Sequence, residues 1–306
     1  MAAIKRDCRV MPVHDDLGTR MKTFYESTPK IHLMHRCPVA IRLDGRAFHT
    51  FTQGFQKPFD KILMKSMQET MQYLCENIQG CVFGYTQSDE ITLILVDYKN
   101  LTSTAWFDYD VQKVCSIAAS MATMAFNNIF SKYVKKFDLA LAYNDNGIDT
   151  EENRKLLEIY TKAINKGAMF DARCFNIPKE EVANLIYWRQ LDAMRNSVQA
   201  VGQANFSHKE LQGKSCADIK EMLKEKGIDW DSFPLECQRG SCCVKNVITV
   251  KKEQIIFPSG KKMVVPTVRL RDTSKLERTW VIDKEIPIFK GENRKYIEDL
   301  IFIEEE

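Results

Sequence analysis

Residues 81–96, CVFGYTQSDEITLILV, are the stretch from which the fold can be built. Two runs of aromatic and β-branched residues, 81–87 and 91–96, are separated only by Ser88-Asp89-Glu90, and this spacing predicts a β-hairpin. The tip of a hairpin lies at the edge of the sheet where its strands end. Asp89 and Glu90 are therefore expected at that edge.

The segments on either side predict the order strand, helix, strand, strand, helix, strand. PVAIRL (38–43) has the pattern of a short buried strand, and an apolar stripe predicts a helix over 60–80. A second helix is predicted over 111–130 and a fourth strand over 169–177. This order is that of the ferredoxin-like split βαβ unit, an α+β fold with an antiparallel sheet and helices on one face.

A change of pattern near residue 180 predicts two regions. Residues 1–180 hold the sheet, an N-terminal helical extension near DLGTRMKTFYE, and a charged insertion over 138–168. Residues 181–306 begin with the helix EEVANLIYWRQLDAMRNSVQAVGQ and continue as a mixed helical and strand region, with strand-like runs NVITV and KMVVPTVRL.

Amino-acid composition and net charge limit the classes of function that the chain can have. With 306 residues, 44% of them hydrophobic and 28% charged, the chain is expected to bury a packed core. A net charge of +3 excludes a uniformly basic surface, so nucleic-acid contacts would need local clusters. Such clusters occur at Lys132, Lys135 and Lys136, at Lys251-Lys252 and at Lys261-Lys262.

Apolar runs and cysteines indicate the compartment. The N-terminus has no apolar secretory region, and the apolar run near Ile91–Val96 is far too short for a membrane span, so a cytoplasmic protein without membrane contact is expected. The ten cysteines then predict reduced thiols. The alternative is a zinc site at Cys216, Cys237, Cys242 and Cys243, which lacks paired C-x2-C spacing.

Two carboxylates are the candidates for chemistry. Asp44 ends the first strand and Asp89 lies at the hairpin tip, so the predicted unit brings them to one edge. Carboxylates about 4 Å apart repel by about 4 kcal/mol at an effective dielectric of about 20, and a proton or a divalent cation can offset this. Mg²⁺ typically takes one or two carboxylates together with phosphate oxygens. The structural alternative is a plain turn at each position.

The residues after Asp44 predict a phosphate-binding loop. Gly45 lets the backbone approach an ion closely, and its carbonyl can be a ligand. The amides of Arg46, Ala47 and Phe48 can form an anion-binding nest, and Lys57 adds a point charge.

The motifs RLDGRAFHTFT, QKPF, YTQSDEITLIL, FDARCFNIP and NLIYWRQLDAMRNS, in this order, resemble the tRNA(His) guanylyltransferase family of 3′–5′ nucleotide-adding enzymes. The resemblance covers about Asp16 to Gln203 and is nearest to the bacterial guanylyltransferase-like branch. It implies a polymerase-type palm in residues 1–180 and two Mg²⁺ ions. Separately from the resemblance, residues 181–306 are expected to be an accessory region that faces RNA.

The resemblance also implies roles for individual residues. Asp44, the Gly45 carbonyl and Asp89 match metal ligands and catalytic residues of the family, with Glu90 as a further candidate ligand. The nucleotide-binding residues implied are Asp44, Gly45, Arg46, Ala47, Phe48, His49, Lys57, Ser88 and Asp89.

The implied reaction is addition of nucleotides to the 5′ end of tRNA. ATP or GTP activates a 5′-phosphate, and the 3′-hydroxyl of an incoming nucleoside triphosphate attacks the activated end. Homotetramers are common in the family. The alternatives are a nucleotidyl cyclase on the same palm, disfavoured by the QSDE tip, and a non-catalytic RNA-binding module.

The helix after residue 180 departs from the family pattern. The guanylyltransferases proper carry a histidine two places after the aspartate of WRQ-x-D, where this chain has Met194. This favours templated repair of 5′-truncated tRNA over guanylate addition restricted to tRNA(His). On the same helix, Arg189 and Asp192 are spaced to pair, either as a structural salt bridge or in contact with the RNA end. Trp188 is predicted to be a core residue, with a stacking platform as the alternative.

Overall fold

The computed structural model describes residues 16–144, 147–256, 262–268 and 276–303, and within 246–278 only the backbone. The strands in these ranges are β1 (Val39–Gly45), β2 (Cys81–Gln87), β3 (Glu90–Leu95), β4 (Phe170–Asn176), β5 (Ser241–Ile256), β6 (Lys262–Val268) and β7 (Leu276–Asp283). The α-helices are α1 (Asp16–Met21), α2 (Phe48–Phe51), α3 (Lys61–Asn77), α4 (Val111–Ala142), α5 (Glu151–Lys166), α6 (Lys179–Asn205), α7 (His208–Leu211), α8 (Cys216–Glu225), α9 (Leu235–Arg239) and α10 (Lys295–Ile301).

The predicted hairpin is present, and it brings the end of β1 to its tip. β2 and β3 pair antiparallel with Gln87 opposite Glu90, so Ser88 and Asp89 alone form the turn. The strand order is β4-β1-β3-β2-β5-β6, and β7 also pairs with β5. Since β1 runs antiparallel to both β3 and β4, its last residues lie at the same edge as the hairpin tip. Helices combined with an antiparallel sheet confirm the predicted α+β class.

One face of the sheet is covered by α3 and α4. Ile41 of β1 and Leu93 of β3 point to this face and are fully buried in a cluster that includes Met71 of α3 and Phe126 of α4. The apolar stripe of α3 forms the contact, and Asp60 caps the helix by accepting a hydrogen bond from the Leu63 amide at 2.9 Å. The helix predicted over 60–80 is thus confirmed.

The opposite face is covered as well, by helices that follow the predicted unit, while α3 and α4 of that unit share one face as predicted. Ala40 and Ile94 project there and pack with Ile186 of α6 and Ile297 of α10 in a second buried cluster. Apolar residues on both faces of β1 and β3 require cover on both sides. Residues from both sides of position 180 share this cluster and the sheet, and the division into two domains stays a prediction.

The charged segment predicted over 138–168 is largely helical. It contains the end of α4, which runs well past residue 130, and α5, which begins after Thr150. The Thr150 hydroxyl accepts from the Asn153 amide at 3.2 Å and caps α5. In the described part of the chain, α4 is the one helix long and apolar enough to cross a membrane. Its inner face belongs to the core beneath the sheet, as in a core helix.

Candidate functional site

The structure brings the two predicted carboxylates together at the sheet edge. Asp44 faces Glu90 across the β1–β3 ladder, and the Gly45 amide donates a hydrogen bond to the Asp89 carbonyl at 3.0 Å. Because side chains alternate along a strand, Asp44 shares the α6 side of the sheet with Arg42 and Ala40. The loop after β1 and the hairpin tip are thereby fixed to each other by backbone contacts.

Burial and neighbouring acids raise the pKa of Asp44. Loss of solvation is the largest cause, followed by repulsion from Glu90 and Asp171, while Arg173 and Arg42 act in the opposite direction. The charged form is therefore less favourable in the folded protein than in water.

The pKa of Asp89 is raised in the same way. Burial again contributes most, and the charges of Asp44 and Glu90 add to it. Its own backbone amide and the Ser88 hydroxyl, which donates to the carboxylate at 3.0 Å, oppose the shift. The charge of Asp44 thus adds to the proton affinity of Asp89, and a bound cation relieves repulsion of this kind.

The donor set suits an ion that brings other ligands with it. Within the described ranges, no three His, Cys, Asp or Glu side chains are grouped so as to hold a metal by themselves. Asp44 and Asp89 provide two carboxylates, and Gly45, which follows Asp44 and bonds to Asp89 through its amide, adds a backbone carbonyl. Mg²⁺ commonly binds to so few protein oxygens and fills its shell with phosphate oxygens and water.

Glu90, a further candidate ligand, is engaged by arginines. Arg189 holds both carboxylate oxygens, with Nε and Nη2 at 2.6 and 2.7 Å, and Arg42 donates to one of them at 3.1 Å. All three side chains are less than one-fifth exposed. Arg189 also pairs with Asp192 at 3.1 Å, as their spacing predicted, and Asp192 binds Arg195 in turn. Glu90 therefore connects the hairpin to β1 and α6. Because both of its carboxylate oxygens already accept hydrogen bonds from arginines, the structure gives little support to a metal-binding role for Glu90.

The loop after β1 turns one of the predicted nucleotide-binding residues into the core. Ala47 has a left-handed backbone (φ 53°) and directs Phe48 inward, where its ring packs with Phe51, Phe126 and Phe170. Phe48 is 4% exposed, so its side chain is unavailable to a ligand. Sequence alone could not distinguish the inward ring from the outward residues beside it.

Gly45 is required by this arrangement. A Cβ at this position would lie 2.3 Å from the Phe48 ring, far inside van der Waals contact. We expect Gly45→Ala to lower the free energy of unfolding by about 2 kcal/mol, as overpacking does, and to displace the loop. Urea unfolding would measure the loss. The double variant Gly45→Ala/Phe48→Leu should recover part of it, and a Gly45→Ala protein as stable as wild type would contradict the packing argument.

The remaining loop residues stay at the surface. Arg46, Ala47, His49 and Lys57 are exposed. The Arg46 amide donates to the Met169 carbonyl at 2.8 Å, so it is not available to the predicted anion nest. The roles of the exposed side chains toward a nucleotide stay predictions.

Asp171 and Arg173 are neighbours of the site that the motif analysis did not single out. Both lie on β4, where Asp171 is opposite Asp44 and Arg173 opposite Arg42, and they pair with each other at 3.3 Å. The signal was present in FDAR, because alternate residues of a strand beside β1 must face the same side as Asp44.

Other predicted residues fall outside the site. Cys242 lies in the cluster on the α6 side and Cys243 in the cluster on the α3 side, so these neighbours cannot share a zinc ion. Burial and the Glu236 charge raise the pKa of Cys237 to about 11, which disfavours a thiolate ligand. Lys251-Lys252 and Lys261-Lys262 lie outside the described side chains, as does Cys8.

Comparison with known proteins gives consistent matches. A family model described as tRNAHis guanylyltransferase matches residues 18–178. A bacterial tRNA(His) guanylyltransferase-like protein solved in complex with ATP is 34% identical, with a TM-score of 0.69 over 94% of this chain and 100% of that one. A structure of such a protein with GTP is 31% identical, with a TM-score of 0.67 at the same coverage. An uncharacterised protein of Acanthamoeba polyphaga mimivirus is 30% identical over 83% of this chain and 82% of its own length.

Proposed function

The chain belongs to the tRNAHis guanylyltransferase family of nucleotidyltransferases, and from this premise we propose that it adds nucleotides to the 5′ end of tRNA in the 3′–5′ direction. The observation that carries the proposal is the pair Asp44 and Asp89, held side by side at the end of β1 and at the hairpin tip. Similar proteins were solved with ATP and with GTP, the nucleotides that activation and addition use.

Two successive phosphoryl transfers make up the reaction. The 5′-monophosphate of the RNA first attacks the α-phosphorus of ATP or GTP, a new P–O–P bond forms and pyrophosphate leaves. The 3′-hydroxyl of the incoming nucleoside triphosphate then attacks the 5′-phosphorus of the RNA. A phosphodiester forms and the nucleoside monophosphate leaves.

The residues of the chain bind and orient the reactants. Asp44, Asp89 and the Gly45 carbonyl would hold Mg²⁺, while Arg46, His49 and Lys57 offer exposed polar groups for the triphosphate. Two Mg²⁺ ions, when bound, supply charge neutralisation for the attacking and leaving oxygens. Arg42 and Arg189 hold Glu90, and this keeps the hairpin tip, and with it Asp89, in register with β1.

Repair of 5′-truncated tRNA has better support than guanylate addition restricted to tRNA(His). Met194, at the place of the family histidine, packs against the buried cluster formed by Val198, Val201 and Trp230. Its side chain therefore serves the core, and the chain lacks the polar group associated with tRNA(His) identity at this position.

The assay is incorporation of labelled nucleotide into a 5′-truncated, 5′-monophosphorylated tRNA with Mg²⁺ and ATP or GTP. We expect product extended at the 5′ end. A cyclic nucleotide as the product, or RNA binding without turnover, would overturn the proposal.

Substrate range provides a second test. We expect kcat/KM for truncated tRNA(His) to lie within about tenfold of the values for other truncated tRNAs, because Met194 offers no polar group to select tRNA(His). Matched kinetics on three or more truncated tRNAs would measure this. A preference for tRNA(His) above about a hundredfold would instead support guanylate addition restricted to that tRNA.

A further inference from the structure

Trp188 on α6 is the exposed tryptophan of the chain. Its side chain is 52% exposed, whereas Trp106, Trp230 and Trp280 are 8%, 3% and 7% exposed. This overturns the prediction that Trp188 belongs to the core. A large aromatic ring left in water beside charged groups is a common feature of binding surfaces.

Two guanidinium groups support this ring. Arg189 lies 4.6 Å and Arg42 5.6 Å from its centroid, both within cation–π range. Both arginines also bind Glu90. The ring thus lies against a largely buried ionic network, while about half of the residue remains exposed to solvent.

The ring lies next to the carboxylate pair. Arg42, which it contacts, is two residues before Asp44 on the same face of β1, and Glu90 is opposite Asp44 in the ladder. Further cationic groups flank this region, with Arg173 opposite Arg42 on β4 and Arg195 two turns along α6 from Trp188. A flat apolar surface near exposed cations matches the chemistry of a nucleotide, with a base to stack and phosphates to neutralise.

We propose that Trp188 is a stacking platform for a nucleobase that enters the Asp44–Asp89 site, either the base at the unpaired RNA end or that of the incoming nucleotide. The proposal rests on the proposed function and deepens it. Stacking on a ring tolerates every base, because each has a π-face. Such a contact suits an enzyme that extends tRNAs of differing sequence.

Fluorescence tests the contact without turnover. Since the other tryptophans are buried, quenching by acrylamide should report mainly on Trp188 and be largely lost in Trp188→Phe. A short 5′-phosphorylated single-stranded RNA, or GTP with Mg²⁺, should quench the emission and shield it from acrylamide. Neither ligand should change the emission of Trp188→Phe by a comparable amount. Absence of quenching by both ligands at saturating concentration overturns the proposal.

Steady-state kinetics of matched variants test how much the Trp188 ring contributes to substrate binding. Trp188→Leu keeps apolar volume but removes the π-face, and we expect KM for one reactant to rise about 10- to 100-fold, with kcat within about threefold. Trp188→Phe should restore KM to within about threefold of wild type. Leu191→Ala is the control, because Leu191 is 45% exposed on the same helix and only aliphatic. It should behave as wild type.

The reactant whose KM rises in Trp188→Leu identifies the stacked base. A rise in KM for RNA assigns it to the RNA end, and a rise in KM for the nucleotide assigns it to the incoming triphosphate; each supports the platform. Unchanged KM values for both reactants in Trp188→Leu, in an enzyme that extends tRNA, overturn it. If the wild-type protein adds no nucleotide yet RNA or GTP still quenches Trp188, the stacking platform stands and the proposed function fails.

Discussion

Asp44→Asn and Asp89→Asn will each reduce 5′ nucleotide addition by about a thousandfold or more, while the protein stays folded. Each substitution removes one of two carboxylates that lie at the same edge of the sheet, and the proposed Mg²⁺ site, which would supply several kcal/mol of charge stabilisation in the transition state, needs both. Single-turnover assays with saturating RNA and nucleotide would measure the loss. Near-normal turnover in either variant would show that the carboxylates are not the catalytic pair.

The same variants carry an internal control for folding. Because the pKa values of Asp44 and Asp89 are raised, the charged carboxylates destabilise the metal-free fold, and their contribution to stability falls as pH rises through the folded-state pKa. A neutral asparagine removes this repulsion, so the melting temperature without metal should equal or exceed that of wild type at neutral pH. Asp149→Asn, a carboxylate paired with Arg154 away from the site, should keep full activity.

Arg189→Met should be the most destabilising single substitution around the site. It leaves Glu90 with Arg42 as its remaining partner while Asp44 and Asp89 stay close. Removing one member of a largely buried ion pair costs about 3 kcal/mol, chiefly because the other charge stays desolvated. Urea unfolding at neutral pH would measure the change, and turnover should fall as well because the hairpin tip loses its anchor.

A double-mutant cycle separates the interaction energy of the Arg189–Glu90 pair from the effects of each substitution on its other neighbours. In Arg189→Met/Glu90→Gln both charges are gone, so the combined loss should be smaller than the sum of the two single losses. Arg195→Met is the matched control, because this exposed arginine pairs with Asp192 at the surface, where an ion pair contributes about 1 kcal/mol or less. A single Arg189→Met loss as small as that of the control would contradict an anchoring role.

The central fold was predictable because its signals are local. The hairpin follows from two β-prone runs around SDE, and α3 follows from one apolar stripe. The cover on the second face was missed because α6 lies far along the chain from the strands it packs on. Its apolar residues show that one face is buried but not which surface it meets.

The site was predictable in outline for the same reason. Asp44 lies at the end of the first strand and Asp89 at the tip of the hairpin. The order of strands and helices implies that this strand and the hairpin pair with each other. The inward direction of the Phe48 ring could not be predicted, because it depends on a left-handed residue, Ala47, that sequence does not reveal. The surroundings of the Trp188 ring could not be predicted, because Arg42 and Glu90, which form the ionic network beside it, come from separate strands.

The most direct test of the shared cation site is a crystal soaked with GTP and Mn²⁺ and measured at the manganese absorption edge. The account predicts an anomalous peak that contacts the carboxylates of both Asp44 and Asp89, with triphosphate oxygens completing the shell, and no such peak in Asp44→Asn. A bound triphosphate whose metal contacts neither carboxylate would contradict it.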